Sequence, residues 1–368
     1  MSYPSVICLT LLMYLAGCVI NQYEIKRLDK ERAVRYLPLL LAMGWLTLLT
    51  SFRGQSIGND TADYMMIFED VSLAGNYQLL NYRYEFGFLW LNQIFSAIIP
   101  DVHLWIAACG VFTCMTFYNF IRRYSDDYFL SLIFFITLGT WGQTMNILRQ
   151  MLAIAICLIS CRFILKNEGL KFLGCIFLAT TLHYTAIIFI VAWWMNRITP
   201  SIRNICLFII LSILISINFG SVINSVFTVF TQYEHYGTSQ YFGDVKMATY
   251  MKISVSSLLC GLWLIARTGR VAGLTPVLSK MDKLSFNLML AGLCILIISV
   301  NFNLLDRVAT YFSIFSIIAV PNALSKIKFH RNRLVLSSIL ILFLFAYYTL
   351  IVICRPEWNR IYPYHTWL

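Results

Sequence analysis

Long apolar runs alternate with short polar segments along the whole chain. The first run, Met1–Tyr23, carries no charge, and comparable runs recur as far as Leu334–Cys354. A helix that crosses the hydrocarbon core of a bilayer needs roughly 17–25 predominantly apolar residues. The pattern therefore predicts an all-α polytopic membrane protein, with one integral membrane domain over residues 1–368. Counting the runs gives about twelve transmembrane helices.

The basic residues predict how these helices are oriented. Lys and Arg cluster in short segments such as Lys26–Arg35, Arg122–Arg123 and Lys326–Arg333. Cytoplasmic loops of membrane proteins carry an excess of Lys and Arg, and the predicted spans bring all these clusters to one side. We therefore expect both termini on the periplasmic face of a bacterial inner membrane. The other segments expected on that face are the loops 53–85 and 221–250 and the tail 355–368.

Two shorter features stand out within and beside the first of these loops. Thr61–Ser72 predicts a short amphipathic helix, because Tyr64, Phe68 and Val71 fall on one face at helical spacing. Phe86–Ile99 is apolar but too short to cross a bilayer, which favours an interfacial or re-entrant segment.

The next part of the chain predicts two further arrangements. Tyr128–Gln143 reads as one outward span, followed by an outer turn at Thr144–Gln150 that carries Arg149. Leu170–Thr199 is long enough for two short spans that meet near His183.

Composition supports the membrane class and removes other classes. Only 12% of the residues are charged, against about 25% in a soluble domain. The net charge of +11 resides in short loops, so it reflects topology rather than a nucleic-acid surface. No HExxH, P-loop, GxSxG or Gly-rich dinucleotide motif is present. The sequence therefore predicts neither a metal site nor a cofactor.

Isolated polar residues on the predicted outer face are the candidates for chemistry. Charges at membrane depth are costly and usually serve a cavity or a partner. The candidates are Arg53, Asp60, Glu85, Arg149, His183 and Arg307. Five of these six also have a structural interpretation: Asp60 as a helix cap, Glu85 as a helix-start carboxylate, His183 as a core residue, Arg149 as an interfacial anchor and Arg307 as the neighbour of an ion-paired Asp306.

The arginines suggest what such a site binds. Guanidinium groups match phosphate oxygens with two parallel hydrogen bonds and stay charged. Arg53, Arg149 and Arg307 are therefore candidate ligands for a diphosphate, and Tyr64 and Tyr311 are further candidates for substrate binding. Tyr64 and Tyr311 lie four residues after Asp60 and Arg307, so each shares a helix face with its partner.

A set of short motifs in a fixed order resembles the EpsG-like branch of the Wzy-type polymerases. The resemblance covers nearly the whole chain, although this chain has Gly58-Asn59-Asp60 where the family often has Gly-Thr-Asp. The motifs are Phe52-Arg53 with Ile57–Thr61 and Tyr64, Tyr84–Phe88, Asn146–Gln150 with Ala153, Leu182–Thr185, Asp306-Arg307 with Tyr311, and Tyr362–Tyr364.

The resemblance implies a membrane glycosyltransferase related to the GT-C class. Such an enzyme joins undecaprenyl-diphosphate-linked oligosaccharide repeat units at the periplasmic face, in the synthesis of O-antigen, capsule or exopolysaccharide. It requires no metal, cofactor or nucleotide sugar. The implied partners are the lipid-linked glycans, membrane lipid, a chain-length regulator and a flippase, and no nucleic acid.

The implied chemistry assigns roles and leaves alternatives. A general base must take the proton of the attacking sugar hydroxyl. Asp60 is the first candidate for this base, because the nearby Gly58 lets its carboxylate approach a substrate closely. Glu85 is the second, because an apolar setting would raise its pKa. His183 would then assist the leaving group. The alternative functions are an O-antigen ligase, a lipid-linked oligosaccharide flippase or other transporter, and a membrane O-acyltransferase.

Overall fold

Helices form nearly all the regular structure that the computed structural model describes. The described residues are 1–28, 36–73, 84–220, 247–268, 277–302 and 305–367. The helices are α1 Tyr3–Leu28, α2 Leu37–Ser51, α3 Thr61–Leu73, α4 Phe86–Ile98, α5 Val102–Tyr124, α6 Tyr128–Thr137, α7 Thr140–Asn146, α8 Leu148–Leu165, α9 Gly169–Leu182, α10 Ala192–Met195, α11 Ile202–Ile217, α12 Met247–Ala266, α13 Lys280–Ile298, α14 Leu305–Ser313, α15 Ser316–Ser325 and α16 His330–Cys354. Two 3₁₀ helices cover Tyr184–Val191 and Pro356–Trp358.

Seven stretches of helix in the described residues are long and apolar enough to cross a membrane. They are Tyr3–Gln22, Val102–Tyr124, Leu148–Leu165, Met247–Ala266, Lys280–Ile298, Leu305–Ser325 and His330–Cys354. Shorter apolar helices accompany them, among them α2, α4 and α6. The prediction of an all-helical membrane protein is confirmed at this level.

The chain forms two compact units. The first contains Met1–Ile187 and Val335–Leu368, and the second contains Ile188–Leu334. Within the first unit, α8 packs against α5 and α9, and most of its side chains are buried. The first unit holds the predicted site residues from Arg53 to His183, and the second holds Arg307 and Tyr311. The prediction of a single membrane domain is not tested by this division and stays a prediction.

The outer helices of the first unit expose apolar side chains. Leu15 and Val19 on α1 are mostly exposed, as are Leu342 and Ile353 on α16. Apolar surface of this extent suits contact with lipid rather than water.

One predicted span is wrong. Tyr128–Gln143 is interrupted after α6, where Gly139 adopts a φ of +78°, and α7 follows at once. The turn predicted at Thr144–Gln150 is instead the end of α7 and the start of α8, which meet at Ile147. The apolar run gives no sign of this break. Gly139 is its only local signal, because glycine adopts a positive φ without steric cost.

Other local predictions agree with the structure. Helix α3 ends one residue beyond the predicted Thr61–Ser72, and Tyr64, Phe68 and Val71 are all buried. Helix α4 has 13 residues, about 20 Å of helix against a hydrocarbon core of about 30 Å. Helix α9 ends at Leu182, so two short segments meet at His183 as predicted. In the predicted outer loops, residues 74–83 and 221–246 lie outside the described residues.

Candidate active site

A buried carboxylate joins three predicted site residues into one group, here called the Glu85 cluster: Glu85, Arg149 and His183. The Glu85 side chain is 5% exposed and forms an ion pair with Nη1 of Arg149. Its Oε1 lies 2.9 Å from Nδ1 of His183 and accepts the backbone N–H of Tyr184 at 3.1 Å. Glu85 stands at the start of α4, as the helix-start interpretation expects, but its side chain makes no capping hydrogen bond, so that interpretation does not account for its contacts with Arg149 and His183.

Aromatic rings surround the guanidinium of Arg149. Its Cζ lies 4.4 Å from the ring centroid of Tyr84, 5.8 Å from that of Phe88 and 6.0 Å from that of Tyr64. Such contacts stabilise a cation and hold it in place. The side chains of Arg149 and His183 are each 19% exposed, so the cluster is accessible on one side. Nε of Arg149 is buried without a hydrogen-bond partner among the described residues.

The cations reverse the pKa shift that the sequence predicts for Glu85. Burial alone raises the pKa of the carboxyl group, but the hydrogen bond with His183 and the charge of Arg149 outweigh it. The pKa of Glu85 therefore lies below its ordinary value, and the predicted increase is wrong because the sequence does not reveal the two partners. An ionised Glu85 accepts the Nδ1–H of His183, which leaves Nε2 as the basic nitrogen.

A close approach of two helices brings Glu85 to His183. A Cβ atom on Gly87 would lie 2.4 Å from Oγ1 of Thr181 and 2.7 Å from its carbonyl oxygen. Only glycine lets α4 lie against α9 at this distance. The Tyr84–Phe88 motif therefore combines the carboxylate with the glycine that allows it to reach its partner.

The loop before α3 is held against α7. Gly58 has a φ of +82°, and a Cβ atom there would lie 2.4 Å from the carbonyl oxygen of Met145. The backbone N–H of Asn59 donates to Oδ1 of Asn146 at 2.8 Å. Two of the motifs, Ile57–Thr61 and Asn146–Gln150, are therefore in direct contact.

This contact positions Asp60 near the Glu85 cluster. The backbone N–H of Tyr64 donates to the carbonyl oxygen of Asp60 at 3.0 Å, so Asp60 stands one helical turn before the ring that faces Arg149. Asp60 is partly exposed. Its predicted role as proton acceptor stays a prediction.

The C-terminal tail runs along the same loop, which the sequence did not predict. Three backbone carbonyl oxygens of the tail accept hydrogen bonds from the loop. That of His365 accepts from the N–H of Gly54 at 2.9 Å, and that of Arg360 accepts from the N–H of Gly58 at 3.0 Å. That of Glu357 accepts from the side-chain amide of Asn59 at 2.9 Å. An antiparallel bridge also pairs Arg53 with Thr366. The tail therefore stabilises the segment that carries Asp60. The motif Tyr362–Tyr364 belongs to this contact: the Tyr364 hydroxyl donates to the carbonyl oxygen of Leu49 at 2.5 Å.

Arg53 holds the loop from inside. It is 1% exposed, and its Nη1 donates to the carbonyl oxygen of Thr50 at 2.6 Å. Its Nε donates to Oγ1 of Thr61 at 3.3 Å. The geometry supports a structural role for Arg53, and its predicted contact with a diphosphate stays a prediction.

The remaining predicted residues lie in the second unit. Arg307 is exposed on α14, whereas Tyr311 is 1% exposed. Asp306 forms an ion pair with Lys252 of α12, a partner that the sequence did not suggest. Within the described residues, no three His, Cys, Asp or Glu side chains are close enough to hold a metal ion.

Comparison with known proteins decides the family. The EpsG family model matches residues 36–366. The chain belongs to the EpsG family. The resemblance inferred from the short motifs is confirmed, and membership in the EpsG family indicates a polysaccharide polymerase-like role in the membrane. No curated protein and no solved structure matches the chain.

Proposed function

We propose that this EpsG-family protein is a polysaccharide polymerase. It joins undecaprenyl-diphosphate-linked oligosaccharide repeat units at the periplasmic face of the bacterial inner membrane. The growing chain on its lipid diphosphate is the donor, and a sugar hydroxyl of the next lipid-linked unit is the acceptor. The observation that carries the proposal is the Glu85 cluster, which combines an imidazole oriented by a carboxylate with a guanidinium held among aromatic rings.

The reaction needs a proton acceptor, and we assign this role to His183. The acceptor oxygen attacks the anomeric carbon of the donor, and the bond from that carbon to the diphosphate oxygen breaks with its electrons passing to the leaving group. The hydroxyl proton moves to Nε2 of His183. Glu85 acts as a positioning residue, because its contact with Nδ1 selects the tautomer and stabilises the imidazolium ion that forms.

The leaving diphosphate needs positive charge. A guanidinium has five N–H donors, and Arg149 contacts the Glu85 side chain through Nη1. We assign the guanidinium of Arg149 to the diphosphate oxygens, where charge develops as the bond breaks. The diphosphate contact predicted for Arg307 from the sequence stays a prediction. Tyr64, whose ring faces Arg149, is assigned to the same substrate, and the substrate contact predicted for Tyr311 stays a prediction. The reaction then requires neither a metal ion nor a nucleotide.

The proposal extends to the architecture and the partners. We propose about twelve transmembrane spans in a GT-C-like arrangement. The loops 53–85 and 221–250 and the tail 355–368 then lie on the periplasmic side. The seven long helices and the shorter apolar helices support it. A flippase that supplies the lipid-linked units and a chain-length regulator are the proposed partners.

Labelling tests the proposed orientation. Gln55 and Lys328 are both exposed and lie on opposite faces in this arrangement. A membrane-impermeant thiol reagent applied to intact spheroplasts should label Gln55→Cys above the parent chain and leave Lys328→Cys at the level of the parent chain. The reverse pattern would contradict the orientation.

A deletion strain tests the reaction. Loss of a polymerase should leave single repeat units attached to the lipid core, with no longer ladder of bands. Loss of a ligase would instead leave full-length chains on the undecaprenyl carrier, and this outcome would replace the polymerase proposal.

Two variants test which residue accepts the proton. His183→Gln should lower polymerisation by at least about 10²-fold, the lower end of what a general base contributes. Asp60→Asn should keep more than about a tenth of the activity, measured with membrane insertion verified. The opposite ranking would return the role to Asp60.

A further inference from the structure

A concave basic surface lies at the far end of the helices that carry the Glu85 cluster. It is a groove of about 740 Å³ at the C-terminal ends of α5 and α8. We call it the arginine groove; its lining residues include Tyr36, Asn119, Arg122, Arg123, Tyr124 and Arg162. None of the described residues that line it is acidic.

The arginine groove is separate from the candidate active site. Arg149 lies in the first turn of α8 and Arg162 in its last turn. A rise of about 1.5 Å per residue puts these two positions about 20 Å apart along the helix. Because α8 is one of the candidate membrane spans, the groove and the Glu85 cluster belong to opposite ends of a span.

The charge in the groove exceeds what the helix ends require. The last turns of α5 and α8 contain Arg122, Arg123 and Arg162, and each helix C-terminus carries about half a negative charge. Three guanidinium groups against about one negative charge leave an excess of about two positive charges. Two acidic residues that follow these helices have other contacts: Asp127 caps α6, and Glu168 pairs with Lys171 at 3.0 Å. Neither they nor Asp126 are among the described residues that line the groove.

Aromatic rings hold two of the guanidinium groups. Cζ of Arg122 lies 5.3 Å from the ring centroid of Tyr36, and Cζ of Arg123 lies 5.6 Å from that of Tyr124. Basic residues at this end of the helices are expected for a cytoplasmic face. That rule does not require three arginines from two helices to line one groove, where their mutual repulsion disfavours an empty site.

We propose that the arginine groove binds a phosphate group. Guanidinium forks match phosphate oxygens in geometry and charge, and the negative charge of a phosphate group, in a monoester or in the diester of a lipid headgroup, opposes the positive excess in the groove. The phosphate belongs either to an anionic lipid headgroup of the adjoining leaflet or to a soluble phosphate compound, since the groove is open to the surface at a helix end.

Binding by the purified full-length protein tests this proposal. One arm measures retention of phosphatidylglycerol against phosphatidylcholine by native mass spectrometry from mixed detergent micelles. The other arm titrates inorganic phosphate at constant ionic strength and follows thermal unfolding. The variant Arg122→Gln, Arg123→Gln, Arg162→Gln should bind its ligand at least about tenfold more weakly, equivalent to the loss of one strong charge-assisted contact.

A charge-matched variant controls for the general effect of removing cations. Lys166→Gln, Lys280→Gln, Arg331→Gln removes the same charge from exposed positions that do not line the groove, and it should bind like the parent protein. If the triple groove variant does not fold, Arg162→Gln compared with Lys166→Gln decides the question in the same way.

The arms distinguish the two sources of phosphate. Selective retention of phosphatidylglycerol that depends on the arginines and is not displaced by inorganic phosphate identifies a lipid headgroup. Stabilisation by inorganic phosphate with the same dependence identifies a soluble ligand. Equal effects of the groove and control variants, or no preference for phosphatidylglycerol together with no effect of phosphate, would overturn the proposal.

Discussion

Glu85→Gln separates the charge of the central carboxylate from its shape. In the structure this carboxylate contacts Nη1 of Arg149, Nδ1 of His183 at 2.9 Å and the backbone N–H of Tyr184 at 3.1 Å. The amide oxygen of Gln can still accept one of these hydrogen bonds. The guanidinium of Arg149 nevertheless loses its counter-charge in a largely apolar setting.

The expected effects follow from these contacts. Removing one partner of a buried ion pair costs about 3–5 kcal/mol. Because the Arg149 side chain is 19% exposed, water can solvate its guanidinium and offset part of this cost. We therefore expect the free energy of unfolding to fall by about 2–3 kcal/mol. A neutral amide neither selects the tautomer of His183 nor stabilises the imidazolium ion. Polymerisation per folded molecule should therefore fall by at least about 10²-fold.

Asp282→Asn is the matched control for stability. Asp282 is equally buried in the second unit, where it pairs with Lys326 and accepts the side-chain amide of Asn322 at 3.1 Å. Both variants lose one buried charge that has a cationic partner. Thermal unfolding of the purified proteins gives the stability loss of each. Polymerisation of lipid-linked repeat units from a deletion strain gives the activity, normalised to folded protein.

Either of two results for Glu85→Gln and Asp282→Asn would contradict the positioning role of Glu85. If both variants lose stability and activity in proportion, or if Glu85→Gln keeps more than about a tenth of the activity, Glu85 does not position a catalytic group.

The pH dependence of stability provides an independent check. Because the pKa of Glu85 is lowered in the folded protein, its contribution is complete above the unfolded pKa of about 4.3 and is lost as the pH falls through the folded pKa. The stability difference between parent and Glu85→Gln should therefore be constant near neutrality and shrink below about pH 4.3.

Two further sets of substitutions test helix contact and charge geometry. Gly87→Ala on α4 places a methyl group against Thr181 of α9 and should cost about 1–3 kcal/mol of stability, with a matching loss of polymer. Gly174→Ala, on α9 itself and with nothing within 4 Å of its Cβ, should be tolerated. Equal polymer yields from the two variants would contradict the close approach of α4 and α9. Arg149→Lys and Arg307→Lys each keep the positive charge but lose the forked guanidinium group that binds phosphate oxygens with two hydrogen bonds. Each should slow polymerisation by about tenfold. Wild-type rates from both variants, with normal folding, would exclude the proposed diphosphate contacts.

The sequence by itself determined the class of the protein and much of its local structure. Long apolar runs identify membrane helices because the bilayer imposes a length on each of them. The apolar spacing of Tyr64, Phe68 and Val71 identified α3 because a helix repeats its faces every 3.6 residues. The order of the short motifs identified the family, which the match over residues 36–366 confirms. All of these signals are carried by neighbouring residues or by their order.

Only the tertiary structure decided which groups the polar residues contact. Glu85 meets Arg149 and His183 across 64 and 98 residues of chain, and these contacts lower a pKa that local sequence predicted to rise. Packing likewise buried Arg53 beneath the loop and brought the C-terminal tail against Gly54 and Gly58. The electrostatic environment of a charged group depends on the charges and the water around it. Those neighbours come from distant segments, and no local pattern specifies which segments will meet.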